Sequence, residues 1–382
     1  MKKLGIKKIA LAAVMASIFA VPAMAQVNIG ITVSATGPAA ALGQPQRNTA
    51  QLLPETVGGE KANYILLDDA TDPTGASRNA ARMVEENNVD VLVGSSTVSN
   101  TLAVVEVAVE NSTPLLALAP VALPDERGQW VFSMPQNNIL MAGAIAEDML
   151  ANGVKTVGVI GFADPYGESF LGAMTTVAAE AGLEMAITEK FNRADTSVIG
   201  QVLRLVSANP DAILIVASGT PSALPHATLV ERGYKGRIYQ THGAIGRDVL
   251  RVGGAAMEGG IFVSGPIIVG EQLPESHPSR QMIIDYVKRY EERHGPGSMG
   301  PQGGHLWDAI QIIDAAVPVA KQKAQPGTPE FRAALREAIE NVRDVVGVHG
   351  VFNMSPDDHF GHDERARVLV QVRNGAYEVI GN

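Results

Sequence analysis

Cysteine is missing from all 382 residues. That excludes a disulfide framework, thiol chemistry and any cysteine-based metal site. It also leaves no residue to carry a lipid behind a cleaved leader. Long apolar runs are missing too. Beyond the N-terminal stretch, no segment reaches the roughly 20 apolar residues that cross a bilayer. Basic clusters are few, so the chain is a poor candidate for nucleic acid or an anionic membrane. There is no phosphate-loop lysine and no nucleophile-elbow serine. No Ser, His and acid set can be assembled without inventing contacts, so the reading is of a non-enzyme without cofactor or metal.

What is present begins with a leader. Lys2, Lys3, Lys7 and Lys8 precede an apolar stretch from Ile9 to Val21, and Ala23-Met24-Ala25 has the small-x-small form of a cleavage site. This predicts a Sec signal peptide over 1–25, export to the periplasm and a mature chain free of a membrane anchor. Without the leader's four lysines, the 30 basic residues become 26 against 40 acidic ones. Such a balance favours solubility and says nothing of a pocket. About 355 residues suffice for two domains stabilised by core burial.

Short β-rich runs alternate with helical patterns. Strands are expected at 27–35, 64–68, 89–94, 115–119, 156–162, 185–191, 212–217, 237–242 and 260–265. Most are continuous apolar runs, the mark of strands covered on both faces. Helices are expected at 74–87, 101–110, 139–152, 168–181, 197–208 and 222–232, then at 279–293, 305–323 and 329–342. The pattern runs twice, with Phe132-Ser133-Met134-Pro135 as a short extended crossing, and strands return at 350–353 and 367–373. This predicts an α/β protein of two lobes, each a parallel-rich sheet with helices on both faces.

Open parallel sheets bind ligands beyond the carboxyl ends of their strands. After Val93-Gly94 comes Ser95-Ser96-Thr97-Val98-Ser99-Asn100-Thr101, six polar residues in seven, ahead of an apolar helix. A helix start of this kind offers backbone N–H groups to an anion, or is simply capped by Ser99 or Asn100. Ala119-Pro120-Val121-Ala122 is either a close approach to a ligand or a plain turn. Tyr166 offers a ring and a hydroxyl. His242 is a ligand contact or a satisfied core histidine. His359 and His362, among Asp357, Asp358 and Asp363, have metal-compatible types but read as a solvated loop. Gly295-Pro296-Gly297-Ser298-Met299-Gly300 matches a dinucleotide glycine pattern but follows a helical stretch, not a strand.

The order and spacing of several segments resemble the type I periplasmic binding proteins, in the branched-chain amino acid (Leu/Ile/Val) group of ABC importers. The carriers are Val33-Ser34-Ala35-Thr36-Gly37-Pro38 with Leu42-Gly43, Asp68-Asp69 with Asp72-Pro73, 94–101 with 104–108, 114–120 and Tyr166-Gly167. The resemblance implies two lobes joined by three hinge crossings: 26–134 with 266–347, and 135–265 with 348–382. It places a ligand carboxylate at Val98, Ser99 and Asn100, beside Ala119, Pro120 and Val121, with Leu42, Tyr166, Ser218, Gly219, His242 and Gln302 around it. Trp307 and His305 are further candidates. In amino acid binders a threonine falls on Ala122, a tyrosine near Ser218 or Gly219, and the acid that grips the ligand ammonium on His242.

Histidine cannot supply that negative charge, and a buried ammonium needs a carboxylate partner. A carboxylate ligand without an α-ammonium is therefore expected, an aromatic or other organic acid, unless Asp164 replaces the lost acid. The implied protein is a monomeric periplasmic solute-binding component that docks on an inner-membrane ABC permease. An amino acid binder of the same importer class and a periplasmic sensor are the alternatives.

Overall fold

A computed structural model describes residues 26–380; the leader lies outside them. Two sheets organise the chain. The first contains β1 (Gln26–Val33), β2 (Thr56–Val57), β3 (Glu60–Asp68), β4 (Val91–Val93), β5 (Leu115–Ala117) and β6 (Val131–Ser133) in the order β2-β3-β1-β4-β5-β6. The second holds β7 (Thr156–Phe162), β8 (Glu184–Phe191), β9 (Ala212–Val216), β10 (Arg237–Gln240) and β11 (Ile261–Ser264). A short hairpin, β12 (Val345–Val346) and β13 (Val351–Phe352), precedes β14 (Val368–Arg373) and β15 (Ala376–Ile380). The order in the second sheet is β15-β14-β11-β10-β9-β7-β8.

Continuous apolar runs become central strands because helices cover both faces. Every residue of β4, β5 and β9 is buried. The edge strand β8 instead alternates exposed and half-buried positions, as expected where one face meets water. Both sheets are parallel-rich, as expected, with antiparallel strands at their margins. β2 runs antiparallel to β3, and β14 and β15 add an antiparallel hairpin beside β11. Phe132 and Ser133 are not a crossing but part of β6, paired with Leu116 and Ala117.

The chain passes between the sheets three times. It leaves the first after β6 for helix Asn138–Ala151 and returns after β11. Helix Gln302–Ala320 then packs on helices Ala40–Thr49 and Pro329–Glu340. The last pass leads from β13 to β14. Segment Pro266–Gln272 and helix Arg280–His294 share a buried cluster with Phe262, Val370 and Tyr377, residues of the second sheet. Burying each such large apolar side chain contributes roughly 1.5–3 kcal/mol, so the chain that follows the second pass stays packed against the second sheet. No helix among the described residues is long and apolar enough to cross a membrane.

Candidate ligand-binding cleft

Parallel pairing brings the ends of β1, β3 and β4 side by side: Val33 opposes Asp68, and Ile31 opposes Val93. The turn after β4 therefore emerges beside Ser34 and Asp69. Gly94 opens it at φ +140°, where a Cβ would overlap the Thr32 carbonyl, so a side chain is excluded. Helix Val98–Glu110 follows, capped by Thr97, whose hydroxyl accepts the Asn100 amide at 3.3 Å. The cap is thus two residues earlier than Ser99 and three earlier than Asn100, the two sequence candidates. Four of the other polar side chains are spent inside the lobe. Ser95 and Asn100 donate to Asp69, Ser96 donates to Gln46, and Thr101 donates to the Ser95 carbonyl. The amides of Val98 and Ser99 lie in the first turn, where a helix supplies no partner.

The neighbouring segment is apolar wall. Ala119 and Val121 are buried, and the Ser133 hydroxyl both accepts from the Val121 amide and donates to its carbonyl. Val98, Ala119 and Val121 belong to one buried cluster with Phe162, Tyr166 and Phe170 of the opposite lobe. The lobes therefore meet here. Gly219, at φ +64°, approaches Ala41 and Leu42 across the gap, and Gln302 donates to the Ile245 carbonyl at 3.0 Å. Pro120 is buried in the same wall, and Ser99 is half-buried.

In the second lobe, Asp164 caps helix Pro165–Ala181 through the Gly167 amide and lies 3.5 Å from Arg193. Arg193 is the residue that sequence reasoning missed. Its guanidinium stacks 4.3 Å over the Phe162 ring and donates to the Ser218 carbonyl and hydroxyl at 3.1 and 3.0 Å. Asp164 is therefore matched by a cation already. The Tyr166 hydroxyl donates to Thr241 at 2.8 Å, so this residue turns its ring, not its hydroxyl, to the cleft.

The strand before His242 stops at Gln240, and His242 opens a short 3-10 turn. Its ring lies edge-on to Tyr166 and 5.9 Å from Phe170. Neither ring nitrogen has a hydrogen-bond partner. Burial, helped by the His349 imidazole, pushes its pKa down to about 3, and no nearby carboxylate opposes the shift. Three more imidazoles gather with it. His305 stacks on His349 with centroids 3.8 Å apart. His349 donates from Nε2 to the Pro301 carbonyl at 2.9 Å, which fixes its tautomer. His362 packs on Phe352, and neither of its nitrogens is bonded. Burial holds His349 down at about 4, His362 at about 3 and His305 well below its usual value. The Trp307 indole N–H and the Nδ1 of His305 are buried without a partner as well. Asp308, one turn along from His305, accepts the Val348 and His349 amides at 2.7 and 3.0 Å, and burial pushes its pKa up to about 8.

The loop expected to be solvated is so at Asp357, Asp358 and Asp363, which are exposed, but His359 is packed. His359 stacks on Phe132 at 4.2 Å, contacts Glu340 and donates towards main-chain carbonyls of 128 and 131. No three described His, Asp or Glu side chains are placed to share a metal ion. The glycine pattern 295–300 follows helix Arg280–His294, as the sequence indicated.

Two α/β lobes with buried, unpartnered polar atoms near where they meet are the arrangement of a bilobed solute-binding protein. The chain belongs to the periplasmic binding protein family, whose model matches residues 26–376. Membership implies a periplasmic location, and the chain is similar to Leu/Ile/Val-binding protein homologues. Among curated proteins, it is 24% identical over 348 residues to the Leu/Ile/Val-binding protein homolog 1 of Brucella suis biovar 1, covering 88% of this chain and 89% of that one. Among solved structures, an extracellular ligand-binding receptor from Rhodopseudomonas palustris is 44% identical with a TM-score of 0.91, covering 93% and 99% of the two chains. A solute-binding protein of an R. palustris ABC transporter has a TM-score of 0.76 at 18% identity, over 93% and 96%.

Proposed function

We propose that this protein captures a small organic acid lacking an α-ammonium, aromatic acids included, and delivers it to an ABC permease in the inner membrane. The cleft lies between a first lobe of 26–134 with 266–347 and a second of 135–265 with 348–382. The leader 1–25 directs export, and the mature chain acts as a monomer. The ligand carboxylate meets the Val98 and Ser99 amides at the positive end of their helix. Leu42, Asn100, Ala119, Pro120 and Val121 frame it from the first lobe, with Gln302 at the margin. Tyr166, Ser218, Gly219 and His242 close over it from the second.

One observation carries this reading. Both nitrogens of His242 are buried and unpartnered, with no acid beside them. A neutral imidazole offers one donor and one acceptor to an acid or carbonyl but no charge to an ammonium. Asp164, the one alternative acid, is engaged by Arg193 and a helix cap. The scaffold accommodates such cargo: the R. palustris solute-binding protein above is in complex with benzoate.

Titration calorimetry with benzoate, 4-hydroxybenzoate, succinate and leucine tests it. At least one acid should bind with a Kd of about 1 μM or lower. Leucine should bind about 100-fold more weakly, since its ammonium would be desolvated without a counter-charge. Tight leucine binding with every acid silent would restore the amino acid assignment.

A further inference from the structure

We infer that Asp69 is a positioning residue that presets the anion-holding turn at the start of helix Val98–Glu110; the inference rests on the proposed acid-binding reading. Asp69 is 2% exposed. Its Oδ1 accepts from Ser34 Oγ at 2.7 Å, Asn100 Nδ2 at 2.8 Å and the Thr71 amide at 3.0 Å. Its Oδ2 accepts from Ser95 Oγ at 2.5 Å and Thr32 Oγ1 at 3.3 Å. A carboxylate has about four lone-pair sites, so these five donors saturate it.

The donors come from separate elements. Thr32 and Ser34 lie on and just after β1, Thr71 after β3, and Ser95 and Asn100 bracket the turn after β4. One buried carboxylate therefore ties three strand ends together behind the turn. The tie reaches outward on both sides: Asn79 donates to Thr32 at 3.2 Å, and Ser96 donates to Gln46. Because Ser95 and Asn100 turn inward to Asp69, the backbone of Val98 and Ser99 between the cap and Asn100 is fixed, with first-turn amides that the helix does not engage. A turn fixed before binding need not be ordered during it, which is how preorganisation raises affinity. Asp69 touches no ligand in this scheme. It acts through the turn.

Two measurements test this on the full mature chain. Hydrogen exchange of the ligand-free protein reads the turn directly. In Asp69→Asn, an amide N–H replaces one acceptor among five donors, so exchange over 95–101 should rise about tenfold while β7–β10 stay unchanged. Wild-type exchange over 95–101 in the variant overturns the inference, whether or not any acid binds. Calorimetry then compares benzoate with benzamide. A positioning role predicts that Asp69→Asn lowers benzoate affinity about tenfold and benzamide affinity by less than about twofold, because only the charged group draws on both amides. An equal fall for both compounds reduces Asp69 to a structural residue. If Asp69→Asn fails to fold, Ser95→Ala removes one link and should show the same selective loss at about threefold; an unselective loss there overturns the inference too. If wild type binds no acid of the panel, the functional reading fails while the exchange result still judges Asp69.

Discussion

Asp69 and His242 are both buried polar residues beside the same cleft, and they are treated in opposite ways. Asp69 is saturated by five donors from its own lobe. His242 has no partner on either nitrogen, and His305, His362 and Trp307 nearby repeat the deficit. A buried polar group left unmade costs about 1–3 kcal/mol. A fold tolerates several such groups in one place when something else completes them. In the proposed reading the contrast separates two jobs: the saturated cluster holds a backbone turn still, and the unsatisfied one is completed by cargo.

The sharpest way to break the comparison is His242→Glu. It puts a carboxylate where the incoming acid would lie, so affinity for the best acid should fall about 100-fold and leucine binding should rise. Unchanged affinities in calorimetry would show that His242 does not face the ligand. The next effect concerns acid stability. His242, His349 and His362 titrate near 3 to 4 when folded and near 6.5 when unfolded. The unfolded chain binds more protons between those values, so stability is full above pH 6.5 and declines as pH falls through the window towards 4. Asp308 acts in the other direction. Its folded pKa is about 8, so it draws stability down as pH rises from about 4 to 8. Three imidazoles outweigh one acid. Thermal melts should therefore peak near pH 6.5 and lose several kcal/mol by pH 4.5; a flat profile below pH 6.5 would contradict the buried, neutral cluster.

A smaller effect follows for His362→Phe. The ring already packs on Phe352 and makes no hydrogen bond, so an apolar ring of similar size should gain about 1 kcal/mol at pH 5 and change little at pH 7.5. Denaturant titration at the two pH values checks it. Smallest of all is Lys190→Ala. Its pair with Glu168 is about half exposed on both sides, and such pairs contribute at most about 1 kcal/mol. A large loss in the same titration would mean that the outer surface of the second lobe matters more than its exposure suggests.

Much of the fold was legible because central strands and amphipathic helices write their burial into the sequence. Helix Ala40–Thr49 was not: Pro45 and a run of Gln, Arg and Asn hide it, and packing on helix Gln302–Ala320 holds it in place. The closing strand β15 was missed because its partner β14, rather than its own pattern, defines it. At the cleft, Val98, Tyr166 and His242 could be singled out because each follows a recognisable strand. Arg193 stands alone after β8, and only the fold carries it to Ser218 and Asp164. His349 and His305 lie 44 residues apart in the chain, and nothing local announces that their rings stack. The polar run at 95–101 was legible as a cluster but not in its orientation. The Ser95 and Ser96 hydroxyls face Asp69 and Gln46, a fact of tertiary contact that no pattern of residue types encodes.

Gly219 has a consequence for the size of the cargo. Its missing side chain is where the jaws touch, with the Ala41 and Leu42 side chains 3.7 Å from where a Cβ would sit. A methyl group would just fit that space, though φ +64° disfavours it, and anything bulkier would act as a doorstop. In the proposed reading, the aperture at closure is thus set by a single codon, at a residue with no side chain of its own to offer the ligand. Evolution can widen the bite there without rewriting the grip.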